Sequence, residues 1–362
     1  MSLDLDNRID KGRSDIRTDK LDMTFGEFAN MYDRRELIVA PAYQRLFRWK
    51  DGQKGRFIES VLLGIPTPAI FVAETDSGVW ELVDGLQRLS TILEFFGSLK
   101  DGDGNLMPPS RIVADEGAVL PELDGMSFED LSLRSRLSIR RAGCRVEVVK
   151  VGSGKRMKYD LFERLNTGGV RLTEQEIRNC IFRAEDPDLM DYFDRLARDE
   201  HFSSTLELSS HKRKSLYDRG LVLRFFALKN DFESFKHDVE PFITEYVHKI
   251  VDGDSTFDRA KEEEIFKRTF AVISDTLGIG SWKHLKNEVP SGEFSVYIFE
   301  AIAVAVARNI DRVEQMDRAD REVRLNKIKV SADFKDAIGQ GGNTKPKLTK
   351  RLTTADSVLS AP

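Results

Sequence analysis

The chain is predicted to be an α+β protein, with a small mixed-sheet domain followed by an all-helical bundle. Three observations predict it. Up to about residue 183, short apolar or alternating β-type runs at 69–74, 79–83 and 145–151 are interleaved with helical segments. Beyond about residue 184, apolar residues recur only at helical spacing. Between the two stands Arg183-Ala184-Glu185-Asp186-Pro187, where the proline disfavours continuation of the preceding helix. Strands and helices followed by helices alone read as two packed layers and then a bundle.

The elements follow in order. Residues 1–20 are polar and charged and read as a flexible leader, without the apolar stretch of a signal peptide. Thr24-Phe25-Gly26-Glu27 is a capping box that opens a short helix through Phe28 and Met31. A brief strand over 37–40 stops at Pro41, and a helix spans 52–63. The strands 69–74 and 79–83 are joined by the turn Thr75-Asp76-Ser77-Gly78. Leu89, Ile92, Leu93 and Phe96 then share one helical face that Gly97 ends. Gly102, Gly104, Pro108 and Pro109 make 98–125 a loop. After the strand 145–151, a helix over 158–165 ends near Asn166 or Gly168, and Thr173-Glu174-Gln175-Glu176 caps another through Ile177 and Ile181. In the bundle, Leu189, Tyr192, Phe193 and Leu196 line one face. Leu221, Phe225 and Leu228 line a second, and Phe242, Tyr246 and Ile250 a third. Phe266, Phe270, Ile273 and Leu277 continue the series, and 294–310 is a central apolar helix. The tail from Gly339, with Lys345, Lys347, Lys350 and Arg351, reads as mobile and basic. The domains expected are therefore 1–20, 21–183, 184–338 and 339–362.

Composition narrows the function classes. Hydrophobic residues make up 40% of the 362-residue chain, enough for a real core, and charged residues 32%. No apolar run approaches membrane-spanning length, so no membrane role is expected. A net charge of −5 excludes a protein that coats nucleic acid with its whole surface but not a local basic patch. The two cysteines, Cys144 and Cys180, make neither a disulfide framework nor a zinc pattern and read as small buried hydrophobes, which fits a reducing cytoplasm.

The most informative stretch is Trp80-Glu81-Leu82-Val83-Asp84-Gly85-Leu86-Gln87-Arg88-Leu89-Ser90-Thr91. An apolar strand runs into an Asp-Gly turn, and a helix opens with glutamine and arginine in its first turn. Helix N-termini present unpaired N–H groups and the positive end of the dipole, which favours phosphate. Arg88 would add a bidentate grip. Gln87 would orient a water or a phosphate oxygen, and Asp84 would hold a metal ion or activate a water. The plain alternative is an ordinary strand-turn-helix with a solvated arginine and an aspartate that bonds its own backbone.

Residues 58–91, with the Gly64-Ile65-Pro66 break, resemble the core of the ParB/sulfiredoxin superfamily, and more narrowly the N-terminal domain of GmrSD-type restriction enzymes. That family's hallmark is Asp-Gly-Gln-Gln-Arg; here Asp84, Gly85, Gln87 and Arg88 keep the pattern and Leu86 departs from it. Three further blocks resemble the same family in the same order. They are Pro41-Ala42-Tyr43-Gln44-Arg45-Leu46-Phe47-Arg48-Trp49, then Leu161-Phe162-Glu163-Arg164-Leu165-Asn166-Thr167-Gly168-Gly169-Val170-Arg171-Leu172-Thr173, and Leu221-Val222-Leu223-Arg224-Phe225-Phe226-Ala227-Leu228, which resembles a helix of the companion helical region. The resemblance implies a nucleoside triphosphate site lined by Tyr43, Gln44, Arg45, Arg48, Gly85, Arg88, Thr91, Asn166, Thr167 and Gly168. Catalysis would rest on Asp84, Gln87 and Arg88, with Mg²⁺ on Asp84. By themselves Gln44, Arg45 and Arg48 also suit a surface loop, and Asn166 to Gly169 a helix C-cap.

Two motif-like segments fail on spacing. Gly152-Ser153-Gly154-Lys155 lacks the first glycine of a P-loop, since Val149 stands there, and the Ser/Thr after the lysine, since Arg156 does. Asp101-Gly102-Asp103-Gly104-Asn105 starts like a calcium loop, but Leu106 and Ile112 replace the required glycine and glutamate. None of the five histidines sits in the Asp-His-x-x-Pro pattern of an HNH nuclease, so the resemblance is to the N-terminal domain in a stand-alone form. The expected function is nucleoside triphosphate binding and hydrolysis in bacterial defence against foreign DNA. A ParB-like nicking endonuclease and a non-catalytic DNA or nucleotide sensor are the alternatives. Candidate partners are DNA, a separate nuclease or modification-system protein, and a second copy of the chain.

Overall fold

A computed structural model describes residues 17–39, 49–75, 77–101, 104–150, 173–209, 212–213, 215–339 and 341–361, apart from the side chains of Cys180 and Ala184. The chain divides into two units, Met1–Thr173 and Glu174–Pro362. The division falls after Thr173, so the helix Glu174–Glu185 counts with the second unit, whereas the sequence reading set the boundary at 183.

The first unit is built on a five-stranded mixed sheet in the order β1-β5-β3-β4-β2. Its strands are β1 (Thr18–Thr24), β2 (Leu37–Ile38), β3 (Ile70–Glu74), β4 (Trp80–Asp84) and β5 (Gly143–Val149). β3 runs parallel to β5 and antiparallel to β4, so the sheet is mixed through its central strand. Among the described residues, three helices precede the long loop: α1 (Phe25–Asp33), α2 (Asp51–Leu62) and α3 (Leu86–Phe95). The Thr24 hydroxyl caps α1, accepting from the Glu27 amide at 3.2 Å, as the capping box predicts, while the Glu27 carboxylate accepts from Asn30 and Arg34 instead of reaching back to the cap. Ile70 and Val72 of β3, Leu82 of β4, Val146 and Val148 of β5, and Leu89, Ile92 and Leu93 of α3 form one buried core. Full burial of each such side chain stabilises the fold by roughly 1.5–3 kcal/mol.

The described part of the leader is corrected. Residues 18–20 belong to β1, paired antiparallel with β5 from Thr18 opposite Val149 to Thr24 opposite Gly143. β1 is an edge strand with mostly exposed side chains, so its polar composition suits its place. Cross-strand charges support it, with Lys20 3.5 Å from Glu147. Loop 98–125, read from its glycines and prolines, is ordered where described. The Ile112 amide donates to the Met126 carbonyl at 2.9 Å and the Leu120 amide to Glu59 Oε1 at 2.6 Å. A further helix, α4 (Leu133–Arg141), precedes β5.

The second unit contains α5 (Glu174–Glu185), α6 (Pro187–Ala197), α7 (Glu200–Ser204), α8 (Tyr217–Asn230), α9 (Val239–Val251) and α10 (Arg259–Leu277). A small hairpin, β6 (His284–Lys286) and β7 (Val289–Ser291), follows and corrects the expectation of helices only. Then come α11 (Val296–Arg308), α12 (Ile310–Gln315), α13 (Arg318–Val330), α14 (Ala332–Asp336) and α15 (Lys345–Ser360). Its core is rich in aromatic rings, for example Phe266 and Phe270 with centroids 4.5 Å apart and Trp282 and Phe299 at 4.9 Å. The reading of the tail as mobile is also corrected. Leu348, Leu352, Ala355 and Leu359 of α15 are buried at helical spacing. Arg351 is wholly buried against Glu300 at 2.6 Å, with its guanidinium 4.6 Å from the Tyr297 ring centroid.

Glu300 belongs to a chain of alternating charges. It also pairs with Arg224 at 2.7 Å, Arg224 with Glu240 at 2.8 Å, and Glu240 with Arg178 at 2.7 Å. Burial pushes the Glu240 carboxyl up, but Arg178 and Arg224 beside it more than reverse this and hold it below its ordinary value.

Candidate functional site

The 84–88 turn sits where β4 ends. A bulge interrupts the β3–β4 ladder there: Phe71 faces Asp84 while Val72 faces Leu82, so Val83 is the extra residue. Bulges of this kind re-aim the side chains next to them. Gly85 follows with φ 104°, a left-handed conformation that disfavours any residue with a Cβ. A Cβ at this position would also stand 3.0 Å from Ile70 Cγ1. The turn therefore needs glycine for two independent reasons. Gly85, at the N-cap of α3, brings no side chain to cap the helix.

Arg88 turns back toward the sheet rather than out to solvent. Its Nη2 donates to Asp84 Oδ2 at 3.0 Å. Its Nη1 donates to the Ala69 carbonyl at 3.1 Å and also to the Pro68 carbonyl. The arginine side chain is 12% exposed and the Asp84 side chain 39%, so the acid is the more open member of the pair. Gln87 Oε1 accepts from the Trp49 amide at 3.0 Å, which ties the start of α3 to the chain just before α2. Thr91 is buried, and its hydroxyl donates to the Gln87 carbonyl at 2.7 Å, a bond within the helix. Leu86, the departure from the hallmark, is partly buried and packs against the core.

Asp84, Gly85, Gln87 and Arg88 are thus brought together at one helix N-terminus. Tyr43, Gln44, Arg45, Arg48, Asn166, Thr167 and Gly168 lie outside the described residues, as does 152–155. The sequence reading did not foresee that the Pro68 and Ala69 carbonyls and the Trp49 amide would hold the arginine and the glutamine. Backbone partners carry no residue-type signal.

These features lie within a stretch that matches a known family model, that of the GmrSD restriction endonuclease, N-terminal domain. The match spans residues 25–183. The GmrSD-type stretch covers less than half of the chain and runs into α5 of the second unit. No curated protein matches the chain.

The donor set of the turn bears on a metal ion. Among the described residues, no three acidic, histidine or cysteine side chains gather as a ready-made metal site. Mg²⁺ that travels with a triphosphate needs only one or two protein carboxylates, because phosphates and waters complete its shell. Asp84 fits that role and no larger one. Among the described residues, no helix is long and apolar enough to cross a membrane.

Proposed function

We propose that the GmrSD-type unit binds a nucleoside triphosphate at the 84–88 turn and hydrolyses it, as part of a restriction system that acts against foreign DNA. One observation carries the reading. An uncapped helix N-terminus, a left-handed glycine and a preset Asp84–Arg88 pair converge within a single turn of chain. The positive end of the helix dipole favours an anion there.

Arg88 is held by two backbone carbonyls, so its guanidinium stays in place when Asp84 lets go. A phosphate oxygen can take the Nη2 donor that Asp84 now accepts from, and this frees the carboxylate to face a cation. Asp84 would then hold Mg²⁺ carried on the triphosphate, and the ion would supply charge neutralisation on the phosphates. Gln87 keeps the start of α3 in register through Trp49, and Arg88 stabilises charge that develops on the transferred phosphoryl group.

The test is a thermal-shift screen of the four nucleoside triphosphates with and without Mg²⁺, followed by phosphate release. A shift lost in Arg88→Lys and Asp84→Asn supports the site. The absence of any shift with all four overturns it. Relaxation of supercoiled plasmid with Mg²⁺ and no phosphate release would assign the same turn to DNA nicking instead.

A further inference from the structure

We propose that one face of α4, carrying Arg134 and Arg141, is a contact surface for the phosphate backbone of duplex DNA. This site is separate from the 84–88 turn. α4 reads Leu133-Arg134-Ser135-Arg136-Leu137-Ser138-Ile139-Arg140-Arg141, with four arginines and no acidic residue in nine positions. It stands out in a chain whose net charge is −5, so it is a local basic patch rather than a sample of the average surface.

The helix is firmly mounted. The Ser132 hydroxyl caps it by accepting from the Ser135 amide at 3.2 Å, and Ile139 is wholly buried. Two of the arginines are engaged within the unit. Arg136 pairs with Glu129, and Arg140 lies over the Phe96 and Phe128 rings at 4.9 and 5.3 Å. The other two are not: Arg134 and Arg141 are exposed and make no ion pair or hydrogen bond among the described residues. They are seven residues apart, which returns nearly to the same side of an α-helix about 10.5 Å along its axis. An open groove of about 450 Å³ runs along this side, lined among the described residues by Leu133, Arg134, Leu137, Ser138 and Arg141.

The chemistry of the occupant follows from the side chains. Guanidinium forks match phosphate oxygens in pairs, and the patch contains no lysine. A firmly mounted helix with two spaced, exposed guanidinium groups suits a regular array of phosphates. Leu133 is its one strongly exposed apolar residue, too little surface to seat a nine-residue helix in a bilayer.

The experiment uses the full chain and a fluorescein-labelled duplex, read by anisotropy across KCl concentrations. Wild type is expected to bind with a salt-dependent constant. Arg134→Gln with Arg141→Gln should weaken binding about tenfold or more at low salt and flatten the slope of log K against log salt by about 1.8, that is, about 0.9 for each phosphate no longer neutralised. Arg134→Lys with Arg141→Lys should retain most of the slope. The control Arg111→Gln, which removes an arginine paired with Asp130, should leave it unchanged. Circular dichroism checks that the double variant is folded, and each single variant should flatten the slope by half as much. Failure of wild type to bind duplex, or a double variant with the wild-type slope, overturns the proposal. So does loss of binding to phosphatidylserine vesicles with duplex binding intact, which would make the patch a membrane contact. The triphosphate thermal shift, repeated on the double variant, should be unchanged. Its presence or absence therefore judges the 84–88 site independently of the DNA result.

Discussion

Arg88 Nη2 donates to Asp84 Oδ2 at 3.0 Å across the turn into α3, so the cation and the acid of the candidate site hold each other before any ligand arrives. The same arginine also holds the chain at Pro68 and Ala69. Arg88→Ala is therefore expected to do two things: abolish the triphosphate-induced thermal shift and lower the stability of the first unit. Removing a charged hydrogen bond costs about 1.5–3 kcal/mol, with the stranded carbonyls adding to it. Urea unfolding without nucleotide, set beside the thermal shift with it, separates the two effects. A variant as stable as wild type would show that the backbone hydrogen bonds contribute nothing.

Gly85→Ala should destabilise the first unit by about 1–3 kcal/mol, the range for a left-handed non-glycine residue. The approach to Ile70 Cγ1 at 3.0 Å adds to the strain. Trp49 and Trp80 lie in this unit and report its unfolding by fluorescence. An unchanged midpoint would mean that the turn relaxes.

Lys329 gives a pH-dependent prediction. It is buried, its Nζ donates to the Gly280 carbonyl at 3.0 Å, and burial pushes its pKa down to about 8 from 10.5. Between those values the unfolded chain binds the extra proton, so the stability contributed by this group rises with pH through that window. At neutral pH the buried ammonium costs about 3 kcal/mol, less what its hydrogen bond returns. Lys329→Met should accordingly be more stable than wild type at pH 7. The gap should shrink as pH rises from about 8 toward 10.5. Thermal unfolding of both proteins across that range is the check, and a gap independent of pH would refute the assignment.

Glu300→Ala should be severe. Glu300 is wholly buried between Arg351 at 2.6 Å and Arg224 at 2.7 Å, so its removal leaves two guanidinium groups without their shared acid. Breaking a buried pair from one side costs about 3–5 kcal/mol. Trp282 lies in the second unit and reports its transition in denaturant. A loss below about 1 kcal/mol would place the pair among the weak surface bridges.

Much of the first unit was legible because its signals are local. The Thr24 cap, the paired strands around Gly78 and the helix that Gly97 ends all follow from residues a few positions apart. Non-local signals were missed. β1 looked like a polar leader because an edge strand has little to bury, and only its ladder with β5 defines it. The tail looked mobile because its lysines drew attention from Leu348, Leu352, Ala355 and Leu359, which share a buried face. At the site, the Asp84, Gly85 and Arg88 pattern was readable, while the inward turn of Arg88 was not. Nothing in an arginine's neighbours tells whether its fork meets a ligand or a carbonyl. α4 was overlooked although Ser132 and its four arginines mark it plainly.

β1 ends at Thr24, one residue before the stretch that matches the family begins. A fragment cut to that stretch would discard the strand that covers the outer side of β5. The bare ladder of Gly143–Val149, with Val146, Val148 and Val149 among its residues, would then be open to the same strand of another molecule. Trimmed preparations are thus expected to self-associate where those starting before Thr18 stay dispersed.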